Sequence, residues 1–137
     1  MDDKPKYPWR LATNERYRDV VKNLMTLSTA SLLLPGFVAK EFLGVSKDVT
    51  LKSFVGWPIY WSWTFLGLAI FSGIVFHYLS AKWVRLAWGQ ETAAWGIPVT
   101  ESFVEGALHV CFWLTASTFM LGLGFVVAFL FGYGAPT

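Results

Sequence analysis

The sequence predicts an all-α integral membrane protein with three transmembrane helices. Three observations carry that expectation. Charged residues make up 15% of the 137 residues and apolar ones 55%, whereas a typical soluble domain carries about 25% charge. The missing charge comes out of long uncharged runs, which marks spans and not an ordinary core. The chain also holds eight Trp, a residue that collects where one side of the ring meets lipid and the other meets headgroups.

The elements follow in chain order. Residues 1–13 (MDDKPKYPWRLAT) are polar, contain Pro5 and Pro8, and read as an irregular arm. Asn14 then offers an N-cap with Glu15 in the first turn. Tyr17, Val20, Val21, Leu24 and Met25 recur at helical spacing, with Arg16, Arg18, Asp19 and Lys22 on the other face. Residues 1–22 are thus a basic N-terminal arm and the start of an amphipathic helix, and residues 23–137 form the membrane domain. Its expected spans are about 23–43, 57–80 and 106–131.

The first apolar run, Asn23–Ala39, is short against the ~20 residues a span needs. Lys22 and Lys40 can extend it by snorkelling. Pro35-Gly36 is expected to kink or end the helix. Cleavage after Ala39 as a signal peptide would put Phe37 at a position that wants a small residue, so a retained helix is expected. A polar connection, 40–56, leads to the second run, Pro58–Leu79, with Trp57, Tyr60, Trp61 and Trp63 at its entry. The helical pattern continues through Lys82, Trp83, Arg85 and Trp88 and stops near Gly89. Residues 89–99 read as a turn, Thr100 as an N-cap with Glu101 beside it, and Ala107–Phe131 as an uncharged third span.

Orientation follows from Lys and Arg. The arm (Lys4, Lys6, Arg10, Arg16, Arg18, Lys22) and the second loop (Lys82, Arg85) share one side, against Lys40, Lys47 and Lys52 on the other. The positive-inside rule puts the N-terminus in the cytoplasm and the C-terminus outside.

The sequence also narrows the function. A net charge of +2 does not suggest nucleic-acid binding. One cysteine, Cys111, excludes an intramolecular disulfide and reads as a small buried hydrophobe. No C-x-x-C-H, Walker or G-x-S-x-G sequence is present. Two histidines and two glutamates near the spans are a thin supply for catalysis, so an enzyme is not expected.

One constellation has chemical content. His77, Ala81 and Arg85 recur every four residues on the second helix, as do Glu101, Glu105 and His109 on the third. In one antiparallel register His77 meets His109, Ala81 meets Glu105 and Arg85 meets Glu101, with Lys82 leaning toward Glu105. The expectation is a long hairpin of the second and third helices that protrudes on the cytoplasmic side, zipped by Arg85–Glu101 and Lys82–Glu105. Facing histidines would alternatively hold a haem in an electron-transfer subunit, or act as a pH-sensitive joint.

Two further patterns bear on assembly. Ala69 and Gly73, and Gly124, Ala128 and Gly132, form small-residue ladders that let helices approach closely in lipid. Thr26, Ser28, Thr29 and Ser31 either bond to their own backbone or line a path through an oligomer. The leading expectation is a non-enzymatic membrane protein acting through helix–helix assembly, as a homo-oligomer or the anchor subunit of a larger complex. The alternatives are an oligomeric channel or membrane-permeabilising effector, and the haem-bearing subunit. The expected partners are the lipid bilayer and a second copy or another membrane protein.

Overall fold

The computed structural model describes residues 5–41 and 56–134. Lys4, Lys47, Lys52, residues 42–43 of the expected first span, and the last three residues lie outside them. Three helices make up most of the described chain: α1 (Pro8–Glu41), α2 (Trp57–Ala87) and α3 (Glu101–Gly134). A two-stranded hairpin, β1 (Ala93–Ala94) and β2 (Ile97–Pro98), joins the last two.

The helix ends follow local chemistry. Pro58 sits in the first turn of α2, where a missing N–H is harmless. At the other end Gly89 adopts φ +72°, and Gly89 and Gln90 donate to the carbonyls of Leu86 and Arg85 at 2.9 and 3.0 Å. This is a Schellman stop. Trp95 and Gly96 turn the β-hairpin with φ of +49° and +80°, the double positive φ that suits a tight two-residue turn. Thr100 caps α3 as its sequence predicts: its Oγ1 accepts the Phe103 N–H at 3.4 Å.

Two expectations for α1 need correction. The helix starts at Pro8 rather than after Asn14. Asn14 is buried in its second turn, where its Nδ2 donates to Ser80 Oγ at 2.8 Å and its Oδ1 accepts from the same hydroxyl at 3.2 Å. Tertiary pairing claims the side chain that would otherwise have capped a helix. Nor does Pro35 end α1, which continues to Glu41. The Leu32 carbonyl, next to the one Pro35 leaves without an N–H partner, accepts the Trp63 indole N–H at 3.2 Å.

The bundle runs up, down, up. Asn14 meets Ser80, Val21 and Met25 approach Gly73, and Leu32 meets Trp63, so α1 lies antiparallel along α2. Trp83 meets Glu105, Ser72 meets Thr115 and Ser62 meets Gly122, so α2 lies antiparallel to α3. Along α2 the buried positions include Ile59, Ser62, Leu66, Ala69, Gly73, Phe76, Ser80, Trp83 and Ala87. These alternate by three and four, the 3.5-residue repeat of left-handed helix packing. On α1 the buried Asn14, Val21, Ser28 and Pro35 fall seven apart.

Close approach depends on two glycines. A Cβ on Gly122 would lie 2.7 Å from Leu66 Cγ and 3.1 Å from the Leu66 backbone nitrogen. One on Gly73 would lie 2.6 Å from the flexible side chain of Met25. α2 and α3 are each long and apolar enough to cross a membrane. α1 has the length, but Arg10, Glu15, Arg16, Arg18, Asp19 and Lys22 crowd its first half, and it does not meet that description.

Gly122→Ala should destabilise the bundle by about 1–3 kcal/mol, because backbone cannot yield as a side-chain tip can. Gly73→Ala should cost less, since Met25 can repack. Gly124→Ala, which meets open space, should change stability by less than about 0.5 kcal/mol. Unfolding in mixed micelles followed by circular dichroism would rank them, and equal effects at Gly122 and Gly124 would contradict the packing.

Candidate functional site

The charged stripes of α2 and α3 are not zipped to each other. Among the described residues the ion pairs belong to Arg10 of α1: its Nη1 lies 3.0 Å from Glu105 Oε1 and 3.4 Å from Glu101 Oε1. Lys82 instead places its ammonium 5.4 Å from the centroid of its neighbour Tyr78, and Arg85 is exposed. The expected pairs Arg85–Glu101 and Lys82–Glu105 are therefore corrected. The observed contacts Ser72–Thr115, Leu66–Gly122 and Trp83–Glu105 sit only one or two residues from the expected register. One residue turns a helix by about 100°, however. That offset swings Phe76, Ser80 and Trp83 into the bundle and leaves Ala81 and Arg85 outside it.

The histidines separate for the same reason. His77, half-buried, lies within electrostatic reach of Arg18 and Lys22, on the flank of α1 that meets α2. His109 is exposed on the opposite flank of α1, where its ring meets Trp113 edge-on at 6.4 Å. α1 lies between the two, so they do not offer imidazoles to a common porphyrin. Among the described residues no three His, Cys, Asp or Glu side chains cluster as a metal site would need.

The four hydroxyls of α1 also diverge. Thr26 and Thr29 are exposed and donate to the carbonyls of Lys22 and Met25, the local bond expected of membrane hydroxyls. Ser28 is fully buried against the other helices, and its Oγ has no hydrogen-bond partner among the described residues. Ser31 is half-buried. The four do not line one face.

The small-residue ladders part company too. Ala69 and Gly73 are buried inside the bundle. Gly124, Ala128 and Gly132 are exposed on the outside of α3, and among the described residues nothing lies within 4 Å of a Cβ built at Gly124 or Gly132.

Arg10 opens onto a groove of about 360 Å³ between the first half of α1 and the first half of α3. Trp83 and Phe76 of α2 line it from below, and Leu108 adds an apolar contact. Tyr17 and Phe112 meet edge-to-face at 5.0 Å across it. Trp113 and His109 form the α3 wall, Trp9 and Thr13 the α1 wall. Glu105 is the polar hub, because its Oε1 accepts from both Arg10 and the Trp83 indole, the latter at 3.3 Å. The arm is also tied by its backbone: the Lys6 N–H donates to the Ala87 carbonyl at 3.2 Å, one of the carbonyls left free at the end of α2.

Sequence reasoning selected Glu101, Glu105 and His109 but missed Arg10, Asn14, Trp83 and Gly122. Asn14 and Gly122 had a readable signal, since each falls on a seven- or three-and-four-residue stripe of small or polar residues. Arg10 had none, because its partners lie more than ninety residues away. No family model, curated protein or solved structure matches this chain.

A double-mutant cycle on Arg10→Ala and Glu105→Gln should give a coupling of about 0.2–1 kcal/mol, as befits a partly exposed pair. The same cycle on Arg85 and Glu101 should give none. Coupling confined to Arg85 would restore the hairpin zipper and overturn the arm contact.

Proposed function

We propose that the protein is a non-catalytic, multi-pass membrane protein that works by helix–helix assembly, with a second copy of the chain or another membrane protein packed on the outer face of α3. The open ladder of Gly124, Ala128 and Gly132 carries this reading. Within the same bundle, Gly73 is filled by Met25 and Gly122 by Leu66. Among the described residues nothing lies within 4 Å of a Cβ at Gly124 or Gly132. In lipid, where apolar burial supplies no drive between helices, a small-residue face is what lets backbones meet.

A bilayer setting is supported by what the helices expose. Only 39% and 33% of the most apolar stretches of α2 and α3 are buried, far less than in core helices of a soluble protein. Phe71, Val110, Met120 and Phe131 are all at least 64% exposed, a band that water would not tolerate. The exposed Trp57 and Tyr60 at one end of α2 and the exposed Trp88 at the other lie roughly 42–47 Å apart at 1.5 Å per residue, about the thickness of a bilayer with its headgroup regions. α1 runs beside α2 over this whole length. The antiparallel pairing puts α1 residues 23–39, uncharged up to Lys40, beside the Trp57 half of α2, and the charged residues from Arg10 to Lys22 beside its other half. The uncharged half supports a third span shorter than α2, with Lys22 snorkelling. The basic arm then sits in the cytoplasm and the C-terminus outside.

Gly124→Leu and Gly132→Leu should abolish a cross-linked oligomer in nanodiscs while leaving helix content unchanged. A monomeric wild type in lipid would reject self-association and leave a heterologous partner to be sought by the same variants. For the orientation, a periplasmic alkaline phosphatase fused at the C-terminus should be active and one fused within the β-hairpin inactive; the reverse pattern would invert the topology.

A further inference from the structure

We propose that the groove between α1 and α3 binds the ammonium group of an amphiphilic quaternary ammonium compound, drawn from the bilayer and seated on aromatic faces beside Glu105. This site lies toward the opposite end of α3 from the Gly124–Gly132 ladder and does not depend on assembly there.

Charge selects the ligand's sign. Arg10 pairs with both Glu101 and Glu105, so the trio carries one net negative charge; Arg10 and Glu105 line the groove, and Glu101 offsets Arg10 from outside its lining. Of the other nearby cations, Arg18 and Lys22 lie on the far flank of α1 beside His77, Arg16 is exposed and outside the groove lining, and Lys6 holds its ammonium 5.9 Å from the Tyr7 ring. One oxygen of Glu105 is shared by Arg10 and Trp83. Its second oxygen holds no hydrogen bond among the described residues and remains available to a cation.

The walls select the ligand's chemistry. A quaternary ammonium has no N–H to satisfy and is drawn to π-faces. Tyr17, Phe112 and Trp113 line the groove around Glu105, and Phe112 and Trp113 meet nearly at right angles 5.7 Å apart; Trp83 is buried at its base, 4% exposed. The same combination already holds a cation of the chain itself. The Arg10 guanidinium lies 4.6 Å from the centroid of Tyr7 and 5.4 Å from that of Trp9 while it pairs with the two carboxylates. The groove measures about 360 Å³ and is open along one side, within the usual range for small-ligand sites. It takes a trimethylammonium head and lets an apolar tail run out beside Trp113, which is 57% exposed.

The test uses the full chain in nanodiscs of phosphatidylglycerol and phosphatidylethanolamine, free of choline lipids, titrated with benzyltrimethylammonium. Saturable binding at one site per chain is expected. Glu105→Gln should weaken it about tenfold or more, and Trp113→Leu roughly threefold to tenfold. Gly124→Leu should leave it unchanged. Trp113 makes no hydrogen bond among the described residues, so its variant still tests the site where Glu105→Gln disturbs the fold. Neopentylbenzene, the uncharged isostere, should compete poorly. Equal competition by the isostere, tighter binding of benzylphosphonate, or no saturable binding by wild type would each overturn the proposal.

Discussion

At Gly122 the backbones of α2 and α3 come so near that one added carbon would lie 3.1 Å from the Leu66 nitrogen. Most of the architecture follows from that approach. It brings the Gly122 carbonyl within 3.0 Å of the Ser62 hydroxyl, which donates to it. It fixes the axial register, and with it the meeting of Ser72 with Thr115 at 2.8 Å and of Trp83 with Glu105. The seam then leaves one groove for α1, whose Met25 fills the space at Gly73. Serine, threonine and glycine recur on the α2–α3 seam because thin side chains permit backbone contact, and each interior hydroxyl that results must find an acceptor in a dry setting.

Polarity is graded along the bundle. At the Trp57 end the contacts are aromatic, with Phe65 and Phe125 stacked at 5.7 Å and only 4° from parallel. The middle holds single hydroxyl bonds, typically modest contributions of about 0.6 kcal/mol each in membrane proteins. The ion pairs among the described residues lie at the β-hairpin end, where charge is shared among Arg10, Glu101, Glu105 and the Trp83 indole. These side chains are about a third or more exposed, so each pair contributes only about 0.2–1 kcal/mol. Arg10 engages both carboxylates from the first turn of α1, which begins at Pro8.

The helices were legible in the sequence because uncharged length, flanking tryptophans and the Thr100 cap are local signals. The hairpin of α2 and α3 was legible to within one or two residues for a similar reason, since a short connection forces antiparallel neighbours. Facing was not. In a run where nearly every residue is apolar, the 3.5-residue stripe of Ser62, Ala69, Gly73 and Ser80 is hidden, while the charged stripe of His77 and Arg85 stands out. Reading the conspicuous stripe as the interface put charges where small residues belong. The start of α1 was misread because Asn14 has good capping chemistry, and only its distant partner Ser80 reveals that the side chain is used elsewhere.

The two long faces of α3 show what the bundle leaves unused. Its inner face spends Val104, Leu108, Thr115, Gly122 and Val126 on α2 and α1. Its first turns lend Glu101 and Glu105 to the arm. The ladder of Gly124, Ala128 and Gly132 lies where neither helix reaches, toward the end at which the bundle is most apolar. His109 and Trp113 are turned outward at the opposite end, where charge and aromatic rings coincide. The partner helix and the bilayer-borne cation proposed above would therefore make different demands on α3, at positions more than two turns apart. Each can be met without disturbing the seam at Gly122 that holds both faces in place.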